Sequence, residues 1–254
     1  MSRTRSLREG AHTRVVLLHG FSDCGASWFP FAGKLPRDRK LHAPDAPGHG
    51  GRPVALGDFT PELLAADAIQ ILDRHPSRSV IGHSMGARTA MEIAAQRSEL
   101  IDFLVLEDPP LWPGPPELEL QAAGDVNAPP FADVQRAIRL PVDQRASWVE
   151  TVTPDWTADD RRIWIRALGA LDANVFGPRF FSYKRGWRET LQNVQAPTLV
   201  VRGEFGLMSG NVAVEAADLL PPGSAVVTIH GASHSPRRER PAETLREIAR
   251  FLDF

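Results

Sequence analysis

Short apolar runs alternate along the chain with longer stretches in which apolar residues return every three or four positions. Val15 to Leu18, Leu41 to Ala43, Val80 to Ile81, Phe103 to Leu106, Thr198 to Val201 and Val226 to Ile229 each read as a strand. Runs this nearly continuous suit strands buried on both faces, which means a parallel sheet flanked by helices. Thr60-Pro61 opens a helix with an N-cap and a proline in the first turn. Leu64, Ala68, Ile71 and Leu72 keep one face of it apolar to about His75, where Pro76 stops it. Further helices are expected after Ser84 through Ala94, over Val212 to Leu220 and over Glu243 to Phe251. Strand and helix alternating in this order predict a doubly wound α/β fold.

The alternation breaks between about Pro109 and Gln195. The break opens with Pro109, Pro110, Pro113, Pro115 and Pro116 and goes on to Trp112, Trp148, Trp156, Trp164 and Trp187. Helical patterns over Phe131–Arg139, Asp143–Thr151 and Ala158–Ala170 have no strand between them. The expectation is a helical cap at 110–195, inserted into a sheet domain made of 1–109 and 196–254.

Composition narrows the picture. A chain of 254 residues, 43% hydrophobic and 24% charged, has enough apolar surface for a sizeable core. A net charge of −2, with arginines spread along the chain, gives no reason to expect nucleic acid or an anionic membrane as partner. Cys24 is alone, so no intrachain disulfide forms, and its thiol is expected to be structural. Met1 to Gly10 is polar and Arg-rich, without the apolar core of a secretory signal. No stretch approaches the roughly 20 apolar residues that span a bilayer. A cytoplasmic location is the expectation.

Three short motifs carry candidate chemistry. Gly82-His83-Ser84-Met85-Gly86 fits G-x-S-x-G and sits between a strand and a helix, where that pattern belongs. A serine on such a tight turn projects its hydroxyl above the sheet, with small neighbours leaving room for the backbone. The helix start behind it and the amide of Met85 then face negative charge developing on a substrate oxygen. His19-Gly20-Phe21 follows the first strand, where the loop supplies a second such amide, here from Phe21. His19 itself is expected to brace that loop by hydrogen bonding. Gly231-Ala232-Ser233-His234-Ser235 follows the last strand and offers His234 as the base for Ser84.

Leu18-His19-Gly20, Asp45-Ala46-Pro47-Gly48-His49-Gly50, the Ser84 elbow and the Gly231–His234 loop together resemble the successive signatures of the α/β-hydrolase superfamily. The resemblance implies an eight-stranded, mostly parallel sheet with a lid over the site. About a dozen residues precede the first strand, so the usual opening hairpin is expected to be shortened or missing. Asp45 and His49 belong to a family turn and are expected to be structural.

The third member of the triad departs from the family pattern. Most relatives place the acid in a G-x-x-D turn after the strand at Thr198–Val201, and here that turn reads Gly203-Glu204-Phe205-Gly206. Asp108, at the end of the strand Phe103–Leu106, is the favoured acid; Glu204 is the alternative, and absence of an acid is a third reading. Strand alternation sends Glu107 the opposite way from Asp108. A serine at the elbow excludes the dehalogenase and epoxide hydrolase chemistries of the superfamily, which use a carboxylate there.

The resulting expectation is a cofactor-free serine hydrolase with Ser84, His234 and Asp108 as triad and Phe21 and Met85 as oxyanion hole. Its substrate is expected to be a small-molecule carboxylic ester or lactone with a bulky apolar or aromatic group. Trp28, Trp112 and Trp187 are candidate pocket walls, with Met85 and Phe29 beside them. No metal-ligand spacing appears. Carbon–carbon bond hydrolysis, perhydrolysis of the haloperoxidase kind, and a non-enzymatic receptor on the same fold stay open.

Overall fold

A computed structural model describes residues 14–35, 39–74, 79–112, 131–179 and 182–253. Its elements run β1 (Arg14–Leu18), α1 (Phe29–Ala32), β2 (Lys40–His42), α2 (Pro61–Arg74), β3 (Ser79–His83), α3 (Met85–Gln96) and β4 (Phe103–Glu107). They continue with α4 (Phe131–Ala137), α5 (Val142–Val152), α6 (Ala158–Gly169), α7 (Trp187–Gln192), β5 (Thr198–Gly203), α8 (Gly210–Leu219), β6 (Ala225–Ile229), α9 (Pro236–Glu239) and α10 (Pro241–Leu252). Every strand expected from the apolar runs is present. The strands form one sheet in the order β2-β1-β3-β4-β5-β6, and each pairing is parallel.

The period-2 geometry of the strands divides the core in two. Val16, Leu18, Val80, Leu104, Leu106 and Val200 face the layer built by α2, α3, α7 and α8, against Leu72, Met91, Leu191 and Val212. Val15, Leu17, Ile81, Val105, Leu199 and Val201 face the opposite layer, against Trp28, Phe31, Ile248 and Leu252. Burial of the central strands β1, β3, β4 and β5 on both sides explains their unbroken apolar runs, while the edge strands β2 and β6 are only partly buried. A third cluster, including Met85, Val134, Val149, Leu168 and Val175, joins the helices between β4 and β5 to the loops above the sheet.

One expectation changes. The described sheet has six strands rather than eight and contains no antiparallel member. The short helices α1, α7 and α9, of four, six and four residues, were not legible in the apolar periodicity because each is little more than one turn. The stop at Pro76, the start from Met1 to Gly10, the opening hairpin and Pro113, Pro115 and Pro116 lie outside the described residues. Between β4 and β5 the described elements are all helical. Among the described residues no helix is long and apolar enough to cross a membrane.

The strand order reverses between β1 and β3, since the chain steps from β1 out to β2 and then back past β1. Open α/β sheets hold their ligands beyond the strand C-termini near such a reversal. The three sequence motifs lie there.

Candidate active site

Ser84 follows β3 directly and caps α3 with φ 51° and ψ −115°. A non-glycine residue in this region is held at a cost of about 1–3 kcal/mol and persists only where its surroundings enforce it. The enforcement is visible. Ser84 N–H donates to the Glu107 carbonyl at 2.9 Å, tying the turn to the end of β4. A Cβ at Gly86 would lie 2.2 Å from the Leu18 carbonyl oxygen, and one at Gly82 would lie 2.4 Å from the Gly86 oxygen. Only glycines at both positions let the elbow close against β1.

His234 Nε2 lies 3.0 Å from Ser84 Oγ, and His234 Nδ1 lies 2.6 Å from Asp108 Oδ2. With Nδ1–H donating to the carboxylate, Nε2 is left as acceptor for the serine hydroxyl. Asp108 is fully buried and has φ 40°. Its Oδ2 also accepts from Leu207 N–H at 2.8 Å. The neighbouring Gly206 explains the broken family turn: a Cβ there would lie 2.3 Å from Asp108 Oδ1. The carboxylate at the end of β4 fills the space that a side chain at Gly206 would need.

Glu204 is placed elsewhere. Its Oε2 accepts from Gly231 N–H at 2.9 Å and faces His230 Nδ1 at 3.5 Å, and the Gly231 N–H holds the carboxyl below its usual range. It braces the His234 loop from outside and does not reach the imidazole that Asp108 holds.

His19 braces its loop as expected. Nδ1 donates to Gly20 O at 2.8 Å and Nε2 accepts from Ala46 N–H at 2.9 Å. Asp45 accepts from Gly25 N–H at 2.7 Å, and His49 Nδ1 donates to Pro47 O at 3.0 Å. Burial pushes the Cys24 thiol up to about 11, which leaves it protonated at neutral pH.

Above Ser84 opens a cavity of about 370 Å³ lined by Phe21, Met85, Trp112, Trp148, Trp156 and Trp164 among others. Phe21 and Met85, the candidate oxyanion-hole residues, line this cavity together with the serine, and Trp112 is a wall. Trp28 and Trp187 are not. Trp28 is fully buried in the layer behind the sheet with the Arg237 guanidinium over its ring at 4.2 Å. Trp187 packs against α3, and its Nε1–H donates to the Trp112 carbonyl at 3.0 Å. Sequence position beside a loop did not distinguish a ring pointing at the cavity from one pointing at the sheet. Phe29 is likewise turned out, 64% exposed.

Several residues at the site were not singled out from the sequence. His83 Nε2–H donates to the His234 carbonyl at 2.8 Å, and the two rings lie 4.8 Å apart. Burial, with Arg237 adding to it, holds the His83 imidazole neutral, far below its ordinary value. Beneath the His234 loop lies a buried charged group. Glu107 accepts from Arg237 N–H at 2.7 Å and pairs with its Nη1 at 2.6 Å, while Asp23 takes Arg237 at 3.4 Å and Arg238 at 3.0 Å. Glu107 thus turns to partners other than those of Asp108, as strand alternation requires. No local signal marked Arg237 and Arg238, because the one-turn helix that holds them has no distinct start at which their charge would stand out. Among the described residues no group of three or more His, Cys, Asp or Glu side chains is placed to hold a metal ion.

The parallel sheet, the strained serine elbow and the hydrogen-bonded acid–histidine–serine chain define a class. A family model described as "Alpha/beta hydrolase family" matches residues 15–247, and the chain belongs to that family. Among curated relatives, pimeloyl-[acyl-carrier protein] methyl ester esterase of Aeromonas salmonicida is 26% identical over 261 residues, covering 96% of this chain and 97% of its own. The crystal structure of E-2-(acetamidomethylene)succinate hydrolase superposes with a TM-score of 0.76 at 22% identity, covering 94% of this chain and 91% of that one. The enol-lactonase from Burkholderia xenovorans LB400 gives 0.73 at 21% identity, covering 97% and 94%.

Proposed function

We propose that the protein hydrolyses a carboxylic ester or lactone bearing a bulky apolar or aromatic group, through an acyl-enzyme on Ser84. The observation that carries this reading is the Asp108–His234–Ser84 chain, with contacts of 2.6 and 3.0 Å, opening on an aromatic-walled cavity. Ser84 Oγ attacks the carbonyl carbon while its proton passes to His234 Nε2. The oxyanion faces the amides of Phe21 and Met85 and the start of α3, where the helix dipole is positive. Collapse expels the alcohol, which takes the proton from Nε2. Water then attacks the acyl-enzyme, gives its proton to Nε2, and the acid leaves as Ser84 recovers its own. Asp108 holds the imidazole in the tautomer that accepts from serine and stabilises the imidazolium.

The helices of 110–195 act in this reading as a cap that sets substrate choice. Support comes from the relatives, one named for a methyl ester and one solved structure named for an enol-lactone. The test is reaction of the purified protein with a fluorophosphonate, read by intact mass beside Ser84→Ala. The expected result is one phosphonyl adduct on the wild type and none on the variant. Failure of both to label, together with no turnover under excess apolar ester, would overturn the reading in favour of a binding protein on the same fold.

A further inference from the structure

The cavity is aromatic, but its charges are not balanced. Its described lining holds three carboxylates, Asp23, Asp133 and Glu239, and one cation, Arg238. An arginine beside a reactive serine would ordinarily be read as an anchor for a substrate carboxylate. Here the charge of the guanidinium is already offset, although its Nε makes no hydrogen bond. Arg238 Nη2 lies 3.1 Å from Asp23 Oδ1 and 3.0 Å from its Oδ2, and Nε lies 3.5 Å from Asp160 Oδ1. One face of it stacks on Trp156 at 4.1 Å, and the side chain is 3% exposed.

The network behind Arg238 is acidic as a whole. Asp23, Glu107 and Asp160 set three carboxylates against the guanidiniums of Arg237 and Arg238. Burial pushes the Asp23 carboxyl up, yet Arg238 and Arg237 outweigh it and hold it below its ordinary range, so Asp23 is ionised. Glu239, the next acid along, accepts from Ser233 Oγ–H at 2.8 Å and from Ser235 N–H at 3.2 Å. Asp133 pairs with Arg136 at the exposed edge.

We propose that this arrangement makes the site selective for uncharged esters and excludes those whose acyl group carries a carboxylate. The proposal rests on the ester-hydrolase reading above and names its substrate class. A second negative charge entering the cavity loses its water, meets Asp23 and Glu239, and finds among the described lining residues one guanidinium, Arg238, whose charge Asp23 and Asp160 already offset. Burying an unpaired carboxylate near others is strongly unfavourable. Asp23 and Asp160 are therefore specificity-determining residues, acting by holding the charge of Arg238 away from substrate.

The test compares 4-nitrophenyl pentanoate with mono-4-nitrophenyl glutarate, which differ only in a terminal methyl or carboxylate on the same acyl length. Wild type is expected to favour the pentanoate in kcat/KM by about 100-fold or more. Asp160→Asn removes a charge while an amide oxygen stays available to Thr157 Oγ1–H, now 2.5 Å away. It is expected to narrow the preference by about tenfold, a change in the ratio that simple loss of stability does not produce. Asp133→Asn, at the exposed edge, is the second variant and shifts the ratio the same way by a smaller factor. Binding of both esters to Ser84→Ala by calorimetry separates the two readings. If wild type turns over neither ester yet Ser84→Ala binds pentanoate and not glutarate, ester hydrolysis fails and charge selection stands. Equal kcat/KM values in wild type, or equal affinities for Ser84→Ala, would overturn charge selection.

Discussion

The rim of strand ends and the helical wall above it enclose the same cavity but are built on different terms. On the rim, backbone conformation sets the side chains. Ser22, Ser84 and Asp108 all have positive φ, and they account for three of the four described non-glycine residues in that region. The triad atoms are held by short directed contacts, from Asp108 Oδ2 to His234 Nδ1 and from His234 Nε2 to Ser84 Oγ, so a small displacement breaks the chain. The wall is made of ring faces: Trp148 and Trp156 lie 5.4 and 5.3 Å from Trp164, whose Nε1–H reaches Ser22 Oγ at 3.2 Å. Apolar contact tolerates change by degrees. The difference teaches where chemistry and where selectivity reside, and it ranks the effects expected from substitution.

The rim should give the largest effect. Asp108→Asn is expected to lower kcat by about 10⁴, because an amide leaves the imidazole in the wrong tautomer. Glu204→Gln, on the outer side of the same loop, should stay within about threefold, as expected for an exposed interaction. Steady-state kinetics on one activated ester decides it, and comparable losses in both variants would erase the distinction between the two acids.

A tryptophan on the far side of the sheet sharpens the comparison next. Trp28→Ala, in the layer behind the sheet, should cost about 3–5 kcal/mol of unfolding free energy measured in urea. Any loss of activity should follow the folded fraction.

The rim also rests on buried imidazoles, whereas no histidine occurs between Phe131 and Gln192. Burial, aided by His19, pushes His49 down to about 3. An unfolded histidine takes its proton near 6.5. Below that pH the unfolded chain binds a proton that the folded chain refuses until about 3, so stability falls as pH drops through this window. From pH 6.5 to 5 His49 alone accounts for about 2 kcal/mol, and burial lowers His19 and His83 in the same direction. Urea unfolding at pH 7 and pH 5 checks the sign; equal stability would contradict it.

The smallest change belongs to the wall. Trp148→Ala is expected to raise KM for an aromatic ester about tenfold while kcat changes little, since a ring face binds ground state and transition state alike. A kcat loss as large as that of Asp108→Asn would mean that the wall positions the reacting atoms after all.

Much of this molecule is written in local pattern. The four central strands are legible because burial on both faces demands unbroken apolar runs, and the elbow is legible because only glycines fit at positions 82 and 86. The histidine loop is legible from its place after the last strand. The sequence by itself therefore determined the sheet, its direction and the two residues that face each other across it. Tertiary structure alone decided the rest. Asp108 and Glu204 are both acids in loops at the strand ends, and only packing puts one carboxylate against Gly206 and His234 while turning the other to Gly231. Trp28, Trp112 and Trp187 are alike in composition, and only the layer each ring enters makes it core or wall. The charge of Arg238 is visible in the sequence, but the carboxylates that hold it come from loops and helices far away in the chain. Local pattern reports what a residue prefers to bury; it carries no record of which distant residue arrives to meet it.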